Sequence, residues 1–194
     1  MLNKFGLLLS KFRSAVKRCS LFISTSRLYI GAFGNPTVVV KKNCQFGHFV
    51  KLVATDGGSI FIGERTSLAD HVQVTVQGGR LTIENDVFIG IGSIIVCRDD
   101  VFIGSNSLIA EYVVIRDQDH SLEVRPVRNS GFHTSPVHIG QDVWVGCKAS
   151  ILRGSYVGDR SVIGAHSLVK SHIAEDMLAI GTPAKAVKRL SGEL

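Results

Sequence analysis

Residues 139–170 read IGQDVWVGCKASILRGSYVGDRSVIGAHSLVK, and every sixth position from Ile139 is a β-branched aliphatic: Ile139, Val145, Ile151, Val157, Ile163 and Val169. Upstream the same step runs through Ile103, Ile109 and Ile115, through Ile83, Ile89 and Ile95, and through Ile62, Leu68 and Val74. Val40, Phe46 and Leu52 follow it more loosely. An α-helix cannot carry this pattern, because six residues advance it by about 600°. A plain strand would alternate at two. Small residues stand directly after many of the aliphatics, among them Gly63, Ala69, Gly90, Gly104, Ala110, Gly140, Gly146, Gly158 and Gly164, and they read as places where the backbone turns. The period therefore predicts an all-β solenoid, with three hexapeptides (about 18 residues) per triangular coil. Nothing between the strands is long enough for a crossover helix, which excludes an ordinary parallel sheet.

The register slips by three at Gln77–Gly79 and by two at Asp99–Asp100. It then breaks between Ile115 and Ile139, where 24 residues stand in place of six. The loop 116–138 must leave the solenoid and return, and it carries three His, three Arg, two Asp and a Glu. Loops of this length in compact folds are usually functional or disordered. Ahead of the solenoid, Leu2, Phe5, Leu9, Phe12, Val16 and Cys19 recur at helical spacing with Lys4, Lys11, Lys17 and Arg18 between them. The expected layout is a basic amphipathic segment at 1–30, a solenoid at 31–176 with its extruded loop, and a turn and short helix at 177–194. Residues 2–19 could cap the open solenoid end or lie on an anionic membrane surface.

A chain of 194 residues suffices for one domain. With 45% hydrophobic and 20% charged residues it is not a disordered sequence. The net charge of +6 is uneven: residues 1–55 hold nine Lys or Arg and no acid, and the remainder holds thirteen bases against sixteen acids. A basic stripe interleaved with aromatics, expected of a nucleic-acid binder, does not occur. Cys19, Cys44, Cys97 and Cys147 are widely spaced, without zinc-ligand patterns, and read as reduced thiols. The early apolar run Leu7–Leu9 is too short for a spanning helix or a signal peptide, so a cytoplasmic protein is expected.

Three stretches in order carry a resemblance: Asp117-x-Asp119-His120 opening the loop, Ile139-Gly140-x-x-Val143-Trp144-Val145-Gly146, and Ile180-Gly181-Thr182-Pro183-Ala184-Lys185. Together they resemble the hexapeptide-repeat acyltransferases, nearest the bacterial sugar and polysaccharide O-acetyltransferases that use acetyl-coenzyme A. The resemblance implies left-handed coils, against the usual right-handed crossover. It also implies a homotrimer with active sites in the grooves between prisms.

His120 is the candidate general base, since a neutral imidazole suits removal of a hydroxyl proton near pH 7. Asp117 or Asp119 would hold the other ring nitrogen. By the resemblance, Trp144 lines the acyl and pantetheine channel, although packing beneath the loop would also account for it. Gly146 and Cys147 lie beside that channel, with Cys147 where relatives often carry Ser, and Ala165 corresponds to a backbone amide donor to pantetheine. Lys185, Lys188 and Arg189 would meet the phosphates of coenzyme A or decorate a solvated C-terminal helix. Arg125, Arg128 and His133 could face an acidic or sugar acceptor. His138 reads as a strand residue, and His48, His71, His166 and His172 as coil surface.

The function expected is acetyl transfer from acetyl-coenzyme A to a hydroxyl of a sugar or surface polysaccharide, with no metal. Acyl transfer to an amino sugar nucleotide, a metal-dependent carbonic-anhydrase-like activity and a non-catalytic scaffold stand as alternatives.

Overall fold

The computed structural model describes residues 21–24, 28–32 and 34–190, and the helical spacing of Leu2–Cys19 lies outside them. Three parallel sheets of short strands wrap into a triangular solenoid. We name the faces by what they carry. The departure face ends each pass before the loop's edge and includes Val114–Arg116. The return face receives the chain again and includes Val137–Ile139. The tryptophan face includes Trp144–Val145. Leu28–Ala32 already pairs in parallel with Val50–Thr55, so the solenoid begins slightly ahead of residue 31.

The six-residue period is the inward column. Ile62 on the return face and Ile89, Ile109, Val145 and Ile163 on the tryptophan face are each 0% exposed and point into a single core. Branching at Cβ fits these crowded, pleated positions.

The glycines serve a different purpose from the one expected. A Cβ on Gly90 would lie 2.5 Å from the carbonyl carbon of Ala110, and one on Gly146 would lie 2.6 Å from Ala165 N. They are small because the next coil's backbone passes close by. The left-handed conformation falls instead on the residue three after the inward aliphatics of the return and tryptophan faces. Asp86, Asn106, Tyr112, Asp142, Lys148, Arg160 and His166 all have φ between 55° and 62°. Each strained corner hands its amide to the preceding coil, as in Asp142 N to Ser105 O at 2.8 Å and Arg160 N to Gln141 O at 2.9 Å.

Buried hydroxyls complete the corners. Ser107 Oγ donates to Gly140 O at 2.9 Å and accepts from Val143 N at 3.0 Å. Ser93 does the same between Ala110 O and Val113 N, and Ser161 between Ala174 O and Met177 N. A side chain at each such corner thus satisfies backbone groups that no strand partner reaches.

The C-terminal helix expected at 177–194 is absent from the described residues. Met177–Gly181 continues the tryptophan face, and Ala184–Arg189 turns back antiparallel to it. The last coil leaves an open sheet edge whose unpaired backbone groups a returning strand satisfies and a helix would not. No helix among the described residues is long and apolar enough to cross a membrane.

The return face bears a ladder of stacked rings: Phe102, His138, Tyr156 and His172, with centroids 4.9, 4.6 and 4.8 Å apart in succession. Burial in this stack pushes the His138 imidazole below its ordinary value, against a smaller opposing pull from Asp159.

Candidate active site

The three register breaks, at 77–79, at 99–100 and at 116–138, fall on one edge of the prism, between the departure and return faces. Two of them are tight corners and the third is the loop. Its first residue beyond the strand, Asp117, is 0% exposed. Its carboxylate accepts the Arg98 amide at 2.9 and 3.0 Å and the Asp99 amide at 2.7 Å. Asp117 therefore stitches the loop's root to the corner of the previous coil, and its oxygens are not free to hold an imidazole. The same carboxylate, after burial itself, helps push the Cys97 thiol up, which keeps that buried cysteine protonated and inert.

Beyond this root the loop forms a hairpin that the sequence did not announce. Gln118–His120 pairs antiparallel with Phe132–Thr134, matching Gln118 to Thr134, Asp119 to His133 and His120 to Phe132. Alternation along a strand sends Asp119 and His120 to opposite sides. The Asp119 carboxylate instead accepts from Arg153 Nε at 2.7 Å. Among the described residues neither aspartate bonds His120, so the orienting role expected of them is not seen. The His120 imidazole lies against the Phe132 ring, 4.4 Å between centroids, and remains exposed. His133 faces Glu123 at 3.8 Å. Arg125 and Arg128 are exposed farther out, Arg128 within a single 3-10 turn, Val127–Asn129.

Ser135 N bonds Asp117 O at 2.9 Å, and Gly154 N bonds Ser135 O at 3.2 Å. The loop's root is thus tied to the corners of its own edge on either side. That edge is opposite the tryptophan face. Trp144 is accordingly not packed beneath the loop: it is 54% exposed, between Leu108 and Val162 in register. Its exposure on a slim prism is unusual for so large an apolar ring.

The remaining predicted residues gather on the tryptophan side. Gly146 and Ala165 are in backbone contact, and Cys147 O accepts from His166 N at 2.9 Å. Cys147 is a half-buried free thiol. Lys185, Lys188 and Arg189 are exposed on the strand Ala184–Arg189 in the same sheet. The structure thus places Trp144, Gly146, Cys147 and Ala165 on one side, with the terminal cations three strands along the same sheet, and puts His120 and His133 on the hairpin but on its opposite faces. Within one chain it does not bring the two groups together.

Sequence reading missed Phe132 and Arg98. An aromatic facing a histidine across a hairpin is invisible until the two strands are known to pair. Among the described residues no group of three or more His, Cys, Asp or Glu could hold a metal ion.

Residues 136–171 match the family model described as bacterial transferase hexapeptide (six repeats). Over 168 residues the chain is 30% identical to the "Putative lipopolysaccharide biosynthesis O-acetyl transferase WbbJ" of Escherichia coli, covering 81% of this chain and 85% of that one. It is 32% identical over 165 residues to the "Probable acetyltransferase Rv3034c" of Mycobacterium tuberculosis, covering 84% of this chain. The match spans 55% of that longer relative. The crystal structure of the polySia specific acetyltransferase NeuO superposes with a TM-score of 0.55 at 25% identity, covering 84% of this chain and 85% of that one. The solenoid is the left-handed parallel β-helix of such enzymes. By its repeats, its fold and its kinship over most of its length, the chain belongs to the hexapeptide-repeat acetyltransferases.

Proposed function

We propose that this protein transfers an acetyl group from acetyl-coenzyme A to a hydroxyl of a sugar or surface polysaccharide. His120 serves as general base. Its neutral imidazole takes the acceptor's hydroxyl proton as the oxygen attacks the thioester carbonyl carbon, and backbone amides stabilise the resulting oxyanion. The carbon–sulfur bond then breaks, and the departing thiolate takes from the imidazolium the proton that the acceptor hydroxyl gave up. The donor would lie along Trp144, Gly146, Cys147 and the Ala165 amide, its phosphates near Lys185, Lys188 and Arg189. Arg125, Arg128 and His133 would meet the acceptor.

The observation that carries this reading is the hairpin itself, which presents an exposed His120 clear of the prism on strands rooted by a buried carboxylate. The two residue groups stand on opposite sides of one prism, which supports a homotrimer: the hairpin of one protomer would meet the tryptophan face of the next. The donor's cytoplasmic origin assigns the reaction to the cytoplasm. The test is incubation with acetyl-coenzyme A and a panel of glycans, following thiol release and mapping the product by NMR. An O-acetylated sugar is expected. Thiol release with amino sugar nucleotides alone, yielding an amide, would overturn the choice of acceptor.

A further inference from the structure

We infer that Arg98 and Phe132 form a clamp that aims His120, making them positioning residues for the reaction; this rests on His120 being the base proposed above. The imidazole has no hydrogen bond or ion pair among the described residues, and the two aspartates beside it in sequence are occupied elsewhere. Its ring contact among the described residues is with Phe132, directly opposite in the hairpin register, at 4.4 Å and tilted by 37°. The same ring lies under the Arg98 guanidinium, whose central carbon is 3.9 Å from the centroid. Arg98 Nε is buried without a hydrogen-bond acceptor among the described residues. The electron-rich ring face takes the acceptor's place, which is the geometry of a cation–π contact.

Arg98 is itself fixed at both ends. Its amide is bound by the buried Asp117 carboxylate, and its guanidinium is pinned on Phe132. A continuous chain of contacts therefore runs from the prism corner to the imidazole: Asp117 to the Arg98 backbone, Arg98 to Phe132, Phe132 to His120. A two-stranded hairpin alone is marginally stable in water, so a base carried on it needs such a brace to hold its angle. Asp117 then acts on His120 through the corner it secures rather than through a bond to the ring.

The test uses the full chain and whichever glycan of the panel supports turnover. Phe132→Leu removes the ring and keeps an apolar side chain. It should lower kcat by about 10²-fold, the scale of a small misplacement at a reacting centre, while KM for acetyl-coenzyme A stays unchanged. Phe132→Tyr preserves the ring and should restore kcat. Arg98→Met keeps the apolar stem without the charge and should lower kcat by about 2- to 5-fold, equivalent to an exposed cation–π contact. With isotope-labelled histidine, the His120 ring proton should move away from its ring-current-shifted position in Phe132→Leu and stay in place in Phe132→Tyr. Wild-type kcat in Phe132→Leu, with His120→Ala inactive, would overturn the clamp alone. Wild-type kcat in His120→Ala would overturn the base and the clamp with it.

Discussion

The prism and the hairpin are both made of β-strands, yet they are held in opposite ways. In the prism every coil hands its backbone to the next, and its core repeats one aliphatic side chain per face. Stability is spread over many equivalent contacts, as in other solenoids. The hairpin has three facing pairs and no core of its own. It depends on a few specific tethers at its root: the Asp117 carboxylate, the Arg98 stack and the Arg153–Asp119 pair. On the proposed reading, the base is carried on the sparsely held element, and the scaffold contributes a fixed place from which to hold it.

The sharpest way to break the comparison is His120→Ala. It should cost about 10²–10⁴ in turnover, the usual contribution of a positioned acid–base group, and leave the thermal midpoint unchanged. A large drop in melting temperature would mean that the hairpin supports the prism. The converse change is Ile109→Ala, at a fully buried rung. It should destabilise by about 2–5 kcal/mol through lost burial and the cavity left behind, measured by denaturant unfolding.

Asp117→Asn probes the joint between the two regions. The amide keeps one acceptor and turns a donor toward backbone N–H groups, at a cost of about 1.5–3 kcal/mol for hydrogen bonds to a charged partner. Turnover should fall with it, since the clamp is anchored there. A variant that loses stability and keeps full turnover would separate the joint from the chemistry.

The smallest effect expected is one of pH. His138 has a folded value below its unfolded value of about 6.5, because burial in the ring ladder disfavours the charged form. On acidification through 6.5 the unfolded chain takes up the proton first. Stability should therefore fall as pH drops below that point and level off once the folded imidazole also titrates. His138→Phe keeps the stack and should lose this part of the pH slope in thermal melts between pH 7 and 5. An unchanged slope would exclude His138 as its source.

The fold was legible because its period was. Ile139 to Val169 recur at six whatever the side chains between them do, and burial follows that column without exception. The glycines beside it were found for the wrong reason, since close approach of a neighbouring coil and a tight turn select the same residue. The terminal helix was misread because the basic residues Lys185, Lys188 and Arg189 suit an exposed strand as well as a helix end. At the site, His120 stood out by its place at the start of an oversized loop. Asp117 stood out too, but sequence adjacency suggested a bond to the ring where the structure has a bond to the corner.

What the sequence determined by itself was the solenoid, its inward column and the point where the chain leaves it, because a six-residue repeat is a local constraint that each coil states again. The tertiary structure decided which partners each polar group takes. Asp117 meets Arg98 and Asp99 across one coil, Asp119 meets Arg153 across another, and Phe132 meets His120 across a hairpin. These contacts join residues 12 to 34 positions apart, and no repeat encodes them. They exist because stacking coils at a spacing of about 4.8 Å brings side chains from successive turns within bonding distance of one edge.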